Sequence, residues 1–200
     1  MIKTKHIVIT LCVAVSIAIM AMMPDKASSG APASHTGAPG EGTCATGGCH
    51  DDNKINSGAA NLSIDLGQIT HYIPGKTYPI KVRIAEGSVI RFGFELVALV
   101  NSDTSNAGSL HLSDAYRTQL TKNQYSMLNR QYVTYSYDGT DAVSTGLGEW
   151  VVNWKAPLSN VGPITFYASG VSADDDETDK GDYVYTTSKV LSSQAVTMEQ

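Results

Sequence analysis

The sequence predicts an all-β protein, an antiparallel sandwich of about seven or eight strands behind an irregular N-terminal arm. Three observations predict it. Apolar residues recur at every second position from Asn61 onward. Turn-forming clusters separate the alternating stretches: PGK at 74–76, EGS at 86–88, YDG at 137–139, SNVGP at 159–163 and DKGD at 179–182. Beyond residue 23 no long apolar segment has helical spacing, while Gly, Ser, Thr and Tyr are plentiful.

Residues 1–27 read as a signal peptide. Lys3, Lys5 and His6 form a basic start, and the run Ile7 to Met23 is apolar apart from Thr10 and Ser16. Cleavage falls between Ala21 and Ala33, and an uncleaved anchor is the competing expectation. Cys12 lies inside this leader, so Cys44 and Cys49 are the cysteines of the exported chain. Residues 28–60 form the arm. They begin as SSGAPASHTGAPGEGT, pass through CATGGCH at 44–50, and end in the polar DDNKINSGAA.

The sandwich domain spans residues 61–198. Leu62, Ile64 and Leu66 open it, and Tyr78, Ile80, Val82 and Ile84 alternate with Lys81 and Arg83. Phe92, Phe94, Leu96, Ala98 and Val100 keep that phase, which predicts one buried face. Further strands are expected in RQYVTYSY, EWVVNWKAP, PITFYASGV and DYVYTTSKVLSSQAVTM. The stretch Ser113 to Asn129 predicts a short helix capped by Ser113.

The chain has 200 residues and a formal charge of −5, with no basic run, which excludes a nucleic-acid surface. There is no nucleophile elbow, P-loop or HExxH, so no enzyme activity is expected.

The chemistry therefore centres on CATGGCH. Cys44 and Cys49 with His50 have the residue types of a covalent haem c site: two thioether sulfurs, then a proximal imidazole for the iron. Four residues separate the cysteines, where the common motif has two. Gly47 and Gly48 permit the positive φ that a puckered longer loop requires. Two other readings fit the same residues. A Cys44–Cys49 disulfide would close a small ring. Zinc would find two thiolates and one imidazole, with no second motif to complete a tetrahedron.

The chain resembles the bacterial Reeler-like domains known as the choice-of-anchor family. The resemblance rests on TGAPGEGTCATGGCH at 36–50, YIPGKTY at 72–78, RFGFEL at 91–96, WKAP at 154–157, TFYASG at 165–170 and GDYVYT at 181–186, in that order. It implies an exported, immunoglobulin-like sandwich with a cysteine–cysteine–histidine motif near its N-terminus, and it favours haem. Members of the family often carry a histidine in the strand matching YVTY, where this chain has Tyr135.

A haem held by His50 has a sixth position. The candidates are His111 and His71, followed by His35, Met127, Met198 and the Tyr135 phenol. A second candidate site is ADDDETDKGD at 173–182, where Asp174, Asp176 and Asp179 are candidate calcium ligands; the bland reading is a solvated hairpin loop. Trp150, Trp154 and Phe166 read as core in preference to a carbohydrate groove.

The expected function is that of an exported monohaem c-type cytochrome-like electron carrier, secreted, periplasmic or on the cell surface. A lone haem requires a redox partner protein or self-assembly. The alternative is a secreted adhesion or scaffold domain with a Cys44–Cys49 disulfide and no cofactor.

Overall fold

The computed structural model describes residues 29–122, 129–176 and 178–193. The leader, Met127, Glu177 and Met198 lie outside these residues. Among the described residues ten strands form two sheets. In chain order they are β1 Asn61–Asp65, β2 His71–Tyr72, β3 Thr77–Ala85, β4 Arg91–Val100 and β5 Ser109–Leu112. They continue with β6 Thr118–Lys122, β7 Gln131–Tyr135, β8 Leu147–Lys155, β9 Ile164–Ala173 and β10 Tyr183–Ser193.

One sheet runs β1-β3-β8-β5 and the other β2-β10-β9-β4-β7-β6. All pairings are antiparallel except β2 with β10. β3 and β8 pair over their whole length, from Thr77 opposite Lys155 to Ala85 opposite Leu147. Their strict alternation places Tyr78, Ile80, Val82 and Ile84 against Trp150, Val152 and Trp154 in one core. Phe94 stacks on Trp150 with centroids 4.4 Å apart, and Phe166 meets Trp154 edge-on at 5.1 Å. Each indole N–H is satisfied: Trp150 donates to the Gly139 carbonyl at 2.9 Å and Trp154 to the Ala107 carbonyl at 2.6 Å. Both tryptophans are therefore core residues.

Two expectations need correction. Ser113–Asn129 does not begin as a helix. The Ser113 hydroxyl donates to the Val151 carbonyl, and the Asp114 carboxylate takes the N–H groups of Tyr116 and Arg117 in a turn. The chain then enters β6, paired to β7 from Thr118 opposite Tyr135 to Lys122 opposite Gln131. Over 113–122 tertiary pairing overrides the local helical reading, and residues 123–128 of that stretch lie outside the described ones.

The second correction concerns β4, which is buried on both faces from Phe92 to Val100. Its even-numbered residues fill the sandwich core, and its odd-numbered residues lie under the N-terminal arm. Ala38 of the arm packs on Val97, Leu99 and Tyr132, while Cys44 packs on Val171 and Val184. The arm is thus a third layer over the outer face of the six-stranded sheet.

Charge fastens this layer. Glu41 accepts from Arg130 Nη1 at 2.6 Å, with the two side chains 0% and 1% exposed. Tyr132 Oη donates to the same Glu41 oxygen at 2.8 Å, and Arg130 Nη1 also donates to the Pro39 carbonyl at 2.9 Å. An enclosed pair of this kind tolerates loss of one member poorly, because the other stays charged and dry. Glu41→Gln is expected to destabilise the protein by about 3–5 kcal/mol, seen as a lower urea midpoint with little change in slope. Glu41→Leu combined with Arg130→Met is expected to recover most of that loss.

Candidate functional site

The CATGGCH loop sits where the arm crosses β9 and β10. The Cys44 N–H donates to Ser169 Oγ at 3.3 Å, which anchors the start of the loop to β9. The His50 N–H donates to the Cys44 carbonyl at 3.2 Å and closes the base of the loop. Gly47 and Gly48 have φ of +79° and +80°, so both occupy the left-handed region that the tight return requires. Open space lies beyond them, with no described atom within 4 Å of a Cβ built at either position.

The two sulfurs differ. Cys44 is 8% exposed and enclosed by the sheet, and burial pushes its thiol up to about 12. Cys49 is half-buried, and both residues are thiols here. A side chain on Gly93 would strike the Tyr135 ring at 2.7 Å, so this glycine makes room for the phenol. Burial raises the Tyr135 phenol, and the neighbouring Cys44, Cys49 and Glu95 add to that rise. Tyr135 therefore stands beside the motif, as its candidacy requires, although the structure shows it as a partly buried side chain packed against the sandwich core.

His50 is held by the residue just before β10. Its Nδ1 lies 2.6 Å from Oδ2 of Asp182, whose side chain is 1% exposed. An ionised carboxylate can only accept, so Nδ1–H is the donor to it, and in the neutral imidazole Nε2 is then the nitrogen with the lone pair. Asp182 Oδ1 also accepts the Asp174 N–H at 3.1 Å. The same corner is stitched by Asn53 Nδ2 to the Asp182 carbonyl at 3.0 Å and by Lys180 Nζ to Asp51 and Asp52, each at 3.0 Å. Nothing in the sequence pattern of CATGGCH points to Asp182, which is 132 positions from His50.

The other candidate ligands lie elsewhere. His111 is exposed on β5, in the opposite sheet, with Nε2 2.9 Å from Ser109 Oγ. The sandwich core separates it from CATGGCH, so the structure does not support His111 as the sixth ligand. His71 pairs with Ser192 near the far end of β10. Cys44 packs on Val184, eight strand positions away, roughly 26 Å at strand rise. The structure therefore does not bring His71 to the motif either. His35 spends its Nδ1 on the Pro32 and Ala33 carbonyls, at 2.9 and 3.2 Å.

Asp174, Asp176 and Asp179 do not converge. Asp174 Oδ1 accepts the Asp176 N–H at 3.3 Å, and Asp176 Oδ1 accepts both donors of Thr178 at 2.8 and 2.7 Å. Among the described residues no group of three or more His, Cys, Asp or Glu side chains is arranged to hold a metal ion. These carboxylates organise their own loop, which joins β9 to β10.

One residue of the site was not singled out by sequence reasoning. Glu95 faces the arm from β4 and is fully buried. Its Oε2 accepts the His35 N–H at 2.6 Å, while Oε1 has no hydrogen-bond partner among the described residues. Burial first, and the Glu41 charge in addition, hold its carboxyl well above the usual range. The signal was present in FGFELVALV at 92–100: one acidic residue in a run of otherwise apolar or small positions.

Compared with known proteins, the chain matches no family model and no curated relative. Among solved structures it is similar to the Reelin-N domain of F-spondin: 25% identity, TM-score 0.48, covering 71% of this chain and 91% of that one. It is also similar to the human F-spondin reeler domain: 24% identity, TM-score 0.47, covering 70% and 93%. A third is a Nocardia farcinica protein with an immunoglobulin-like fold: 15% identity, TM-score 0.38, covering 66% and 98%. No helix among the described residues is long and apolar enough to cross a membrane.

The raised Glu95 carboxyl generates a pH prediction. A carboxyl raised on folding binds its proton more tightly in the native state. Its contribution is therefore complete below the ordinary glutamate range, near 4.5, and is lost as pH rises through the native value. Thermal midpoints of the wild type are expected to fall across that rise, and Glu95→Gln is expected to remove this part of the pH dependence.

Proposed function

We propose that the chain acts outside the cytoplasm as a non-catalytic binding or scaffold module whose Cys44–Cys49 pair serves as a staple for a displayed loop. One observation carries this reading: Cys44 is enclosed between the arm and β9–β10, packed on Val171 and Val184. This sulfur opens a loop that is already closed at its base and that ends at Cys49. It has little room for the edge of a porphyrin. The ring is small, so the bond would stiffen the loop more than it stabilises the fold. The leader-like N-terminus and the motif resemblance support an exported site of action.

A second reading, covalent haem c, is favoured by a different observation. The contact between His50 and Asp182 orients an imidazole as metal-ligating histidines are commonly oriented, with a carboxylate on one nitrogen and the other nitrogen free. The open space beyond Gly47 and Gly48 also fits a bulky group on that side. In this reading Cys44 and Cys49 hold the porphyrin, His50 holds the iron, and the bound group supplies one-electron transfer. Asp182 keeps the Nδ1–H tautomer, and Cys44 must turn out of its packing. Electron delivery would then require a redox partner or a second copy of the chain.

Intact-mass measurement of native material separates the readings. A staple lowers the mass of the reduced chain by about two daltons, whereas covalent haem raises it by on the order of 600 Da. The staple is the expected result. Colour that persists through acid acetone and is lost in Cys49→Ala would establish the haem reading instead. In the unloaded protein, nitrogen NMR is expected to find His50 as the Nδ1–H tautomer, a preference that Asp182→Ala removes.

A further inference from the structure

Eight large apolar or aromatic side chains are left exposed among the described residues, and four of them stand at one corner of the sandwich. They are Ile90, Tyr116, Tyr137 and Val143, with the two tyrosines 69% and 62% exposed. The fold stitches their three segments together. The Ala142 N–H donates to the Ile90 carbonyl at 2.9 Å, and the Ser136 N–H to the Arg117 carbonyl at 3.0 Å. Arg117 Nη2 donates to the Asp141 carbonyl at 2.7 Å. The short turn Tyr137–Thr140 is pinned to the core by the Trp150 indole N–H on the Gly139 carbonyl. It lies so close to Arg117 that a Cβ on Gly139 would come within 1.9 Å of the Arg117 carbonyl oxygen. Aromatic rings on a backbone held this firmly are ordered before a partner arrives, so docking on them costs little entropy.

The charge around the rings is negative. The carboxylates of Asp114, Asp138, Asp141 and Asp175 share the corner with two guanidinium groups, and both cations are already occupied. Arg91 bridges Asp141 and Asp175. Arg117 donates to the Asp138, Gly139 and Asp141 carbonyls. Asp114 and Asp138 have no ion-pair partner among the described residues. Tyr116 Oη donates to Asp138 Oδ1 at 2.9 Å, which sets a carboxylate at the rim of an exposed ring.

We infer that this corner is a docking surface for a basic segment of another protein, whose arginine or lysine side chains stack on Tyr116 and Tyr137 and pair with Asp114 and Asp138. The inference rests on the reading of the chain as a non-catalytic binding module, but not on the staple. A guanidinium or ammonium group is attracted both to the face of an aromatic ring and to a carboxylate, and an arginine fork serves the two at once. A neutral sugar would use the rings and leave the carboxylate charges unmatched. A second copy of the chain is disfavoured, because each carries a formal charge of −5 and like charges repel.

The test uses the full chain with a fluorescent arginine–serine repeat peptide as probe. An aspartate–serine repeat peptide and a soluble neutral glucan are the comparisons. Anisotropy gives the affinity, and amide NMR gives the footprint. The arginine peptide is expected to bind less tightly as salt is raised and to shift the amides of 89–91, 114–117 and 136–143. Tyr116→Ala combined with Tyr137→Ala keeps the charge and is expected to weaken binding roughly tenfold. Asp114→Asn combined with Asp138→Asn keeps the hydrogen-bond acceptors and is expected to weaken it about tenfold while flattening the salt dependence. Unchanged affinity in the tyrosine variant would overturn the inference, since only general attraction between opposite charges would remain. A footprint elsewhere, equal binding of the aspartate peptide, or a corner that answers to glucan and not to the arginine peptide would overturn it as well. If the double tyrosine variant does not fold, Tyr137→Ala alone decides by the same criterion. The mass of the cysteine pair separates the staple and haem readings independently of every one of these outcomes.

Discussion

The seating of the arm on the outer face of the six-stranded sheet depends on the enclosed ion pair between Glu41 and Arg130. A loop rich in Gly, Ala and Pro has little apolar area with which to hold itself against a sheet. Here the holding is done by a carboxylate that takes Arg130, Tyr132 and Thr36 at once. Once the arm is seated, Val97 and Leu99 are covered, β4 becomes a strand with two dry faces, and Cys44 is carried into contact with β9 and β10. Remove that anchor and the motif loses its floor.

Two buried carboxylates divide the work at the floor of the site. Asp182, just before β10, is satisfied by the His50 imidazole and the Asp174 N–H. It fixes a ring and one end of the loop between β9 and β10. Glu95 is satisfied on one oxygen only. Satisfied buried polar groups rigidify a structure, whereas half-satisfied ones are costly and mark places where chemistry or a missing partner relieves them.

The sandwich itself was largely legible. The alternation in 77–85 and 147–155 predicts the two strands that pair without a slip over nine residues. Trp150, Trp154 and Phe166 are core because their faces are shared with Val152 and Ile164, a pattern visible in the sequence. Where reading failed, the reason was nonlocal. β6 carries no strong alternation, and its strand state comes from pairing with β7. The outer face of β4 appears half polar by pattern, and only the arm, folded back across more than fifty residues of sequence, makes it interior.

For the site, the local sequence determined the chemistry available: two thiols, an imidazole and a pair of glycines in seven residues, since covalent order alone places them together. Tertiary structure decided what each can do. It buried one sulfur and left the other half open, gave His50 a carboxylate from the loop before β10, and set Glu95 beneath the arm. It also moved His111 to the other sheet and His71 to the far end of β10. The physical reason is that protonation, access and orientation depend on which distant groups share a dry, close-packed space, and chain proximity does not specify that space.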